Sequence, residues 1–252
     1  MAERITSKTN STLQQVRKLI ASRRARYECR RFVADGTKLV AEAVRWGIGI
    51  EALLLCDGVD FPVPDGVREL RVSPALMKDV SRMETPQGVM ALCRMPEAAQ
   101  LPLTPGFLVL DGIQDPGNLG TILRTADAFS VPVLLADGCA DPWSEKTVRA
   151  SMGAVFRTVP LQMETERVIG LCAEREIPIC VTALRPDAAD IRSLELRQYA
   201  VVIGSEGQGV GQAFCRAAAR SAVIPMSPRC ESLNAAVAAS LVLWQLQRLG
   251  QP

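Results

Sequence analysis

The sequence contains no histidine among its 252 residues. Histidine is the side chain whose ordinary pKa lies near neutrality, so its absence excludes an imidazole general base and the Ser-His-Asp and Cys-His nucleophile systems. It also excludes a two-histidine zinc site. Any chemistry performed by this chain must therefore use carboxylates, hydroxyls, arginine or backbone groups.

Cysteine pairs and long apolar runs are missing as well. The eight cysteines include no C-x-x-C pair, which argues against a zinc site or a disulfide framework and predicts reduced, mostly buried thiols. The longest uncharged apolar run, residues 232–245, is too short to cross a bilayer, and the N-terminus lacks the apolar segment of a signal peptide. We therefore expect no metal, no membrane partner and a cytoplasmic location.

Positive charge is concentrated at one end of the chain. Residues 1–31 hold nine Lys and Arg against two acids, a charge of +7, whereas the remainder holds 20 against 25, a charge of −5. Such a segment is typical of a phosphate-binding helix or arm, because Lys and Arg release counterions from nucleic acid. A solvated helix face is the alternative interpretation.

The pattern of apolar residues predicts two α/β domains. Residues 1–95 combine a capped helix after Asn10 with strands at 52–56, 70–72 and 89–93, and the three prolines of residues 96–105 indicate a linker. From 106 to 252, short apolar strands alternate with helices, as in a parallel sheet covered on both faces. These strands are predicted at 107–110, 133–135, 158–159, 179–182, 200–203 and 222–224.

Three polar clusters each follow a predicted strand of the second domain. The first, Asp111–Phe129, leads through a Pro-Gly turn into a helix that begins near Asn118 and carries Arg124. The second is a glycine-rich loop, residues 204–211, that contains Glu206. It matches neither a Walker loop nor a dinucleotide fingerprint, and a plain glycine turn is the alternative.

The third cluster, residues 223–234, precedes the last helix. Glu231, Ser232 and Asn234 lie at the start of this helix, where simple capping explains any one of them. The helical face formed by Leu233, Val237, Leu241 and Trp244 is predicted to be core. Because parallel strands end at one edge of a sheet, where α/β proteins bind ligands, the three clusters together predict one site.

The clusters resemble, in order and spacing, the three signature motifs of the SpoU (TrmH) class of RNA ribose 2′-O-methyltransferases in the SPOUT superfamily. The first motif fits Asn118, Gly120, Arg124, Ala126 and Phe129; the second fits Gly204, Glu206, Gly207 and Gly209; the third fits Pro225, Met226, Glu231, Ser232, Leu233 and Asn234. The segment 146–157 and the first domain are also similar to the family pattern. Pro228 is a departure, since the family more often has glycine there.

The resemblance implies a SPOUT α/β trefoil-knot domain with a largely parallel sheet, preceded by a small α/β RNA-binding domain. It implies a homodimer with S-adenosylmethionine as cofactor. The cofactor-binding residues would be Gly204, Gly209, Ile224, Met226, Ser232 and Leu233. The catalytic candidates are Arg124, Asn118, Glu206, Ser232 and Asn234.

Arginine stays protonated in proteins, so Arg124 is expected to clamp a phosphate and stabilise developing alkoxide charge. A phosphate oxygen, Ser232 or Glu206 then accepts the proton, and Asn118 orients the ribose or the arginine. RNA contacts are expected from Arg17, Lys18, Arg23, Arg24, Arg26, Arg30 and Arg149.

The expected substrate is structured RNA, with 23S ribosomal RNA favoured by the appended first domain. Transfer RNA as the substrate, a non-catalytic RNA-binding homologue and a nucleotide-dependent oxidoreductase are the alternatives. Members that confer antibiotic resistance share this layout, so the biological role of the modification stays open.

Overall fold

The chain divides into two units, each built on its own β-sheet. The computed structural model describes residues 2–97, 104–183 and 185–247. Unit 1 comprises Met1–Glu97 with Trp143–Arg157, and unit 2 comprises Ala98–Pro142 with Thr158–Pro252. Residues 98–103 of the predicted linker lie outside the described residues.

The strands are β1 (Glu3–Ile5), β2 (Arg31–Asp35), β3 (Ile50–Cys56), β4 (Arg68–Val72), β5 (Val89–Arg94), β6 (Phe107–Leu110), β7 (Val133–Leu135), β8 (Leu161–Gln162), β9 (Ile179–Thr182), β10 (Ala189–Asp190), β11 (Ala200–Ile203) and β12 (Arg220–Val223). The helices are α1 (Ser11–Ala21), α2 (Arg23–Cys29), α3 (Thr37–Arg45), α4 (Pro74–Val80), α5 (Pro116–Ala128), α6 (Glu145–Ala150), α7 (Ala154–Arg157), α8 (Thr165–Glu174), α9 (Gln212–Ala217) and α10 (Ala235–Leu246).

Unit 1 is built on a mixed five-stranded sheet of order β1-β4-β3-β5-β2, in which β5 runs antiparallel to β3 and β2. Helix α1 begins as predicted, because the Asn10 side chain accepts hydrogen bonds from the first-turn amides of Thr12 and Leu13. Its apolar face packs with the strands around Leu54 and Leu70.

A segment that the sequence pattern predicts in the second domain belongs to unit 1. This segment, residues 143–157, contains α6 and α7. The ring of Phe32 on β2 lies 4.9 Å from the ring of Trp143 and 5.8 Å from that of Phe156. Burial of these rings explains the packing, since aromatic side chains remove a large apolar area from water.

Unit 2 confirms the predicted parallel α/β sheet. Its seven strands have the order β10-β12-β9-β11-β6-β7-β8, and every neighbouring pair is parallel. Alternate residues of the strands, such as Val109 and Val202, pack with α8 and with Phe214 of α9. The strand predicted at 158–159 was wrong: β8 begins after Pro160, which lacks the amide hydrogen needed for a ladder bond.

Helix α10 differs from its prediction in the face that it buries. Its buried residues include Ala239, Val242 and Leu243, whereas Val237, Leu241 and Trp244, predicted to be core, are exposed. Apolar residues surround most of this helix, so their periodicity does not identify the inner face. None of the described helices has the length and apolar character needed to cross a membrane.

All eight cysteines are free thiols, and five of them are buried. Burial raises the pKa of Cys172 and of Cys180 to about 11. These two thiols therefore stay protonated near neutral pH and are poor nucleophiles.

Candidate active site

The three polar clusters meet at the carboxyl edge of the unit 2 sheet. Strand β11 lies between β6 and β9, with Ile203 opposite Leu110, and β12 lies on the other side of β9. Because these strands are parallel, Asp111, Gly204 and Ile224 leave the same edge. The sheet thereby positions the three motifs side by side, as predicted.

One carboxylate oxygen joins the three motifs. Oε1 of Glu206 accepts hydrogen bonds from Asn118 Nδ2 at 2.9 Å, Asn234 Nδ2 at 2.6 Å and the Ala235 backbone amide at 2.9 Å. The Asn234 amide nitrogen also donates to Asn118 Oδ1 at 3.1 Å. We call Asn118, Glu206 and Asn234 the motif triangle. Its three side chains come from α5, the glycine-rich loop and the start of α10.

Asn234 is both a helix cap and a member of the motif triangle. Its Oδ1 accepts the backbone amides of Ala236 and Val237, which is the capping role that the sequence left open. Its Nδ2 faces the other two motifs at the same time. Asp115 caps α5 in a similar way by accepting the amide of Asn118. Both helices are therefore fixed at the ends that carry the site.

The glycine-rich loop folds back on itself. A Cβ atom added at Gly204 would lie 2.0 Å from the carbonyl carbon of Gly209, so only glycine fits there. Ser205 and Gly209 exchange two backbone hydrogen bonds, and Asp111 Oδ2 accepts the Gly211 amide at 2.7 Å. Burial raises the pKa of Asp111, and that hydrogen bond partly offsets the effect.

A cavity of about 440 Å³ opens beside this loop. Its volume falls within the range of roughly 300–1,000 Å³ typical of small-molecule sites. All six residues expected to bind the cofactor line it: Gly204, Gly209, Ile224, Met226, Ser232 and Leu233. Glu206 and Glu231 also line it, and carboxylates there suit ribose hydroxyls or an exocyclic amine.

Sequence motifs did not mark every residue that lines the cavity. Thr182 and Ala183, at the end of β9, and Ala238 of α10 contribute to its wall. The only sequence signal for the first two is their position after a predicted strand. Pro228 lies outside this wall and occupies the second position of a turn closed by the Cys230 amide and the Ser227 carbonyl.

Arg124 stands apart from the motif triangle. Its side chain is exposed on α5, and it forms no hydrogen bond or ion pair with any residue of the described part of the chain. It does not line the cavity either. Within one copy of the chain, Asn118 therefore does not orient Arg124, because both ends of the Asn118 amide are engaged by Glu206 and Asn234.

The basic residues of unit 1 that are expected to contact RNA differ in exposure and in their partners. Lys18, Arg23, Arg24 and Arg30 are exposed on or beside α1 and α2. Arg17 is held by Asp79 at 2.5 Å, Arg24 pairs with Glu28, and Arg149 pairs with Glu145. Arg26 does not fit its predicted RNA contact, because it is only 5% exposed and donates to the Leu19 and Ile20 carbonyls.

Comparison with known proteins agrees with this architecture. The family model for the SpoU rRNA Methylase family matches residues 105–244, and that for the MRM3-like substrate binding domain matches residues 10–91. The chain is 30% identical to the Bacillus subtilis 23S rRNA (guanosine(2553)-2′-O)-methyltransferase RlmP over 248 residues, which cover 97% of this chain and 99% of that protein.

Two further proteins extend the comparison. The chain is 28% identical to the 23S rRNA (uridine(2479)-2′-O)-methyltransferase of Streptomyces viridochromogenes, with 98% of this chain and 92% of that protein covered. The crystal structure of the AdoMet-bound rRNA methyltransferase from Sinorhizobium meliloti superposes with a TM-score of 0.85 at 30% identity, covering 100% of this chain and 99% of that one. The chain therefore belongs to the SpoU rRNA methylase family and is an S-adenosylmethionine-dependent RNA 2′-O-methyltransferase.

Proposed function

We propose that this protein methylates a ribose 2′-hydroxyl of 23S ribosomal RNA. The observation that carries the proposal is the motif triangle beside a cavity of cofactor size. Two relatives that match nearly the whole chain are named for 2′-O-methylation of 23S rRNA. One name specifies guanosine and the other uridine, so the family fold does not fix the target base.

The cofactor, when bound, supplies a methyl group on a sulfonium centre. The chain must then position the 2′-hydroxyl, exclude water and accept its proton. Oε1 of Glu206 already accepts three hydrogen bonds, whereas no described residue donates to Oε2. We propose that Oε2 of Glu206 takes the proton of the 2′-hydroxyl. Ser232, which lines the same cavity, then contacts the cofactor.

Arg124 acts from a second copy of the chain in this proposal. It reaches no part of its own cavity, and α10, which packs against α5, presents Val237, Leu241 and Trp244 to solvent. An exposed apolar face of this kind is typical of a protein interface, and it supports a homodimer in which a second copy covers it. Arg124 of one copy then clamps the substrate phosphate at the cavity of the other.

We extend the family's trefoil knot to unit 2. The return of residues 224–234 to the glycine-rich loop, where Asn234 meets Glu206, supports this assignment. A cytoplasmic location accords with a ribosomal RNA substrate, and it rests on that substrate alone.

A methyl-transfer assay tests the proposed function. Purified protein is incubated with labelled S-adenosylmethionine and, separately, with 23S rRNA, 16S rRNA and transfer RNA, and alkali-resistant linkages are then mapped. We expect a single resistant linkage in 23S rRNA. Modification of transfer RNA alone would contradict the proposed substrate, and cofactor binding without transfer to any RNA would contradict the reaction.

A further inference from the structure

A groove is formed by residues of unit 1, whereas the cofactor cavity is formed by residues of unit 2. This groove runs between α3 and the segment that carries α6 and α7, and it encloses a cavity of about 120 Å³. The groove is lined by Lys38, Leu39 and Glu42 of α3 and by Arg149 and Met152 opposite. We call it the α3 groove.

An aromatic ring continues the α3 groove at the C-terminal end of α3. Trp46 is 47% exposed, and the guanidinium carbons of Arg45 and Arg157 lie 5.9 and 5.5 Å from its ring centroid. Glu42 links this ring to the groove: its Oε2 accepts Trp46 Nε1 at 3.2 Å and Arg157 Nη1 at 2.7 Å. The ring is therefore held in one orientation with much of its surface open to solvent.

The opposite end of the groove contains an unsatisfied acceptor. Asp35 is 98% buried; its Oδ2 accepts the Ser81 hydroxyl at 2.6 Å, while Oδ1 has no partner within the described residues. Asp35 belongs to the wall of the cavity. A buried acceptor of this kind suits a ligand that brings an N–H or O–H group.

The charges around the groove favour an anionic ligand. Four cations, Lys38, Arg45, Arg149 and Arg157, surround it, against three acids, Asp35, Glu42 and Glu145. Lys38 forms no ion pair with another described residue, and the Arg45 side chain is 72% exposed. An exposed indole ring beside exposed cations is the combination with which proteins hold unpaired nucleotides, by base stacking and phosphate contact.

We propose that the α3 groove binds a short unpaired segment of the RNA substrate. One base stacks on Trp46 with its phosphate beside Arg45, and the strand continues along α3 past Lys38 toward the Asp35 end. This inference rests on the proposed function, since it deepens the description of the RNA that the protein selects. It assigns a role in RNA recognition to residues that no signature motif includes.

Four variants test the groove by RNA affinity and its salt dependence. Trp46→Ala should weaken binding of a 23S rRNA fragment by roughly 5- to 150-fold, the range for loss of one stacked base, without changing the salt slope. Trp46→Phe should restore most of the affinity. Arg45→Gln should reduce the slope by about one, whereas Arg45→Lys should leave it unchanged.

Two control measurements make the result specific. Affinity for S-adenosylmethionine and the melting temperature should match the wild type in all four variants. An unchanged RNA affinity in Trp46→Ala overturns the groove proposal, and so does a change of oligomeric state in that variant. If the wild-type protein methylates 23S rRNA, such a result leaves the proposed function standing; if the wild type neither binds nor methylates it, both proposals fail.

Discussion

Asn234 donates a 2.6 Å hydrogen bond from its Nδ2 to Oε1 of Glu206, 28 residues earlier in the chain. The same Oε1 accepts the amide of Ala235, so the carboxylate fixes the first turn of α10 as well as the asparagine side chain. A negative charge at a helix N-terminus is stabilising. Glu206 thus combines a structural task on Oε1 with an unoccupied oxygen, Oε2, that faces no donor in the described residues.

Two substitutions of Glu206 separate the structural role of Oε1 from the proposed proton transfer to Oε2. Glu206→Gln keeps an acceptor for the asparagines and the helix end, so cofactor affinity should stay near that of the wild type. Methyl transfer should fall by about 10²-fold or more, because the variant lacks the proposed proton acceptor. Glu206→Ala should in addition weaken cofactor binding, because it removes the link between the motifs.

Isothermal titration with S-adenosylmethionine and single-turnover transfer measure the two effects independently. Near-wild-type transfer by Glu206→Gln would exclude Oε2 as the proton acceptor and favour a substrate phosphate oxygen. Ser232→Ala provides the contrast: it alters the wall of the cofactor cavity and leaves the motif triangle intact, so it should change cofactor affinity first.

The sequence was sufficient to predict the parallel sheet and the meeting of the three motifs. Each motif follows a strand rich in β-branched residues. Polar residues at these positions, such as Asn118 and Glu206, are not core residues and therefore indicate a site. Three things could not be predicted. The inner face of α10 was not encoded in its periodicity, because apolar residues surround most of the helix.

The sequence also did not predict that residues 143–157 pack in unit 1, because their packing partner Phe32 is more than a hundred residues away in the sequence. Net charge also failed to separate surface from buried cations. Arg26 belongs to a run of arginines by sequence, yet its guanidinium satisfies carbonyls at the end of α1. Only tertiary packing distinguishes it from Arg23 and Arg24.

Arg124→Ala should retain cofactor affinity and lose transfer by about 10²-fold or more, as expected for a group that acts only on the reacting centre. A mixed-dimer experiment reveals which copy supplies it. If Arg124 acts on the partner's cavity, mixing inactive Arg124→Ala with inactive Glu206→Ala should restore transfer, because each mixed dimer contains one complete site. No restored transfer, with mixed dimers demonstrated, would show that Arg124 acts within its own chain.

If the proposed homodimer forms through α10, Leu241→Glu should convert it to a monomer and abolish methyl transfer. Leu241 lies between Val237 and Trp244 on the exposed face of α10, and a carboxylate there cannot be buried without a partner. Analytical ultracentrifugation over a concentration series measures the change. Val44→Glu is the matched control, since Val44 is an exposed apolar residue of unit 1. Dimers that persist in Leu241→Glu would remove α10 from the interface.

Arg26 and its two exposed neighbours should behave in opposite ways. Arg23→Gln with Arg24→Gln should weaken RNA binding and lower its salt slope by up to about two, while stability stays unchanged. Arg26→Gln should leave the slope unaltered and reduce the free energy of unfolding by about 1–3 kcal/mol, the cost of unsatisfied buried carbonyls. Filter binding at several salt concentrations and urea unfolding measure the two quantities. A lower slope in Arg26→Gln would return this residue to the RNA-contacting set.

Glu51 provides a pH test of unit 1. Arg31 on β2 and Arg94 on β5 lie directly opposite each other, a like-charge pair that is unfavourable without a counterion. The Glu51 carboxylate accepts hydrogen bonds from Arg31 Nε at 2.6 Å and from Arg94 Nε at 2.8 Å. Glu51 lies where the register of β3 against β5 shifts. The hydrogen bond from Arg31, with a further contribution from Arg94, lowers the pKa of Glu51.

A carboxyl whose pKa is lowered by folding stabilises the native state above its unfolded pKa, and this stabilisation is lost as the pH falls through the folded pKa. Glu51→Gln should therefore reduce the free energy of unfolding by about 1 kcal/mol at pH 7, and the difference from the wild type should disappear in acid. Urea unfolding in a Trp244→Phe background restricts the fluorescence signal to Trp46 and Trp143, the tryptophans of unit 1. A difference that stays constant between pH 7 and pH 3 would mean that Glu51 contributes through packing and not through its charge.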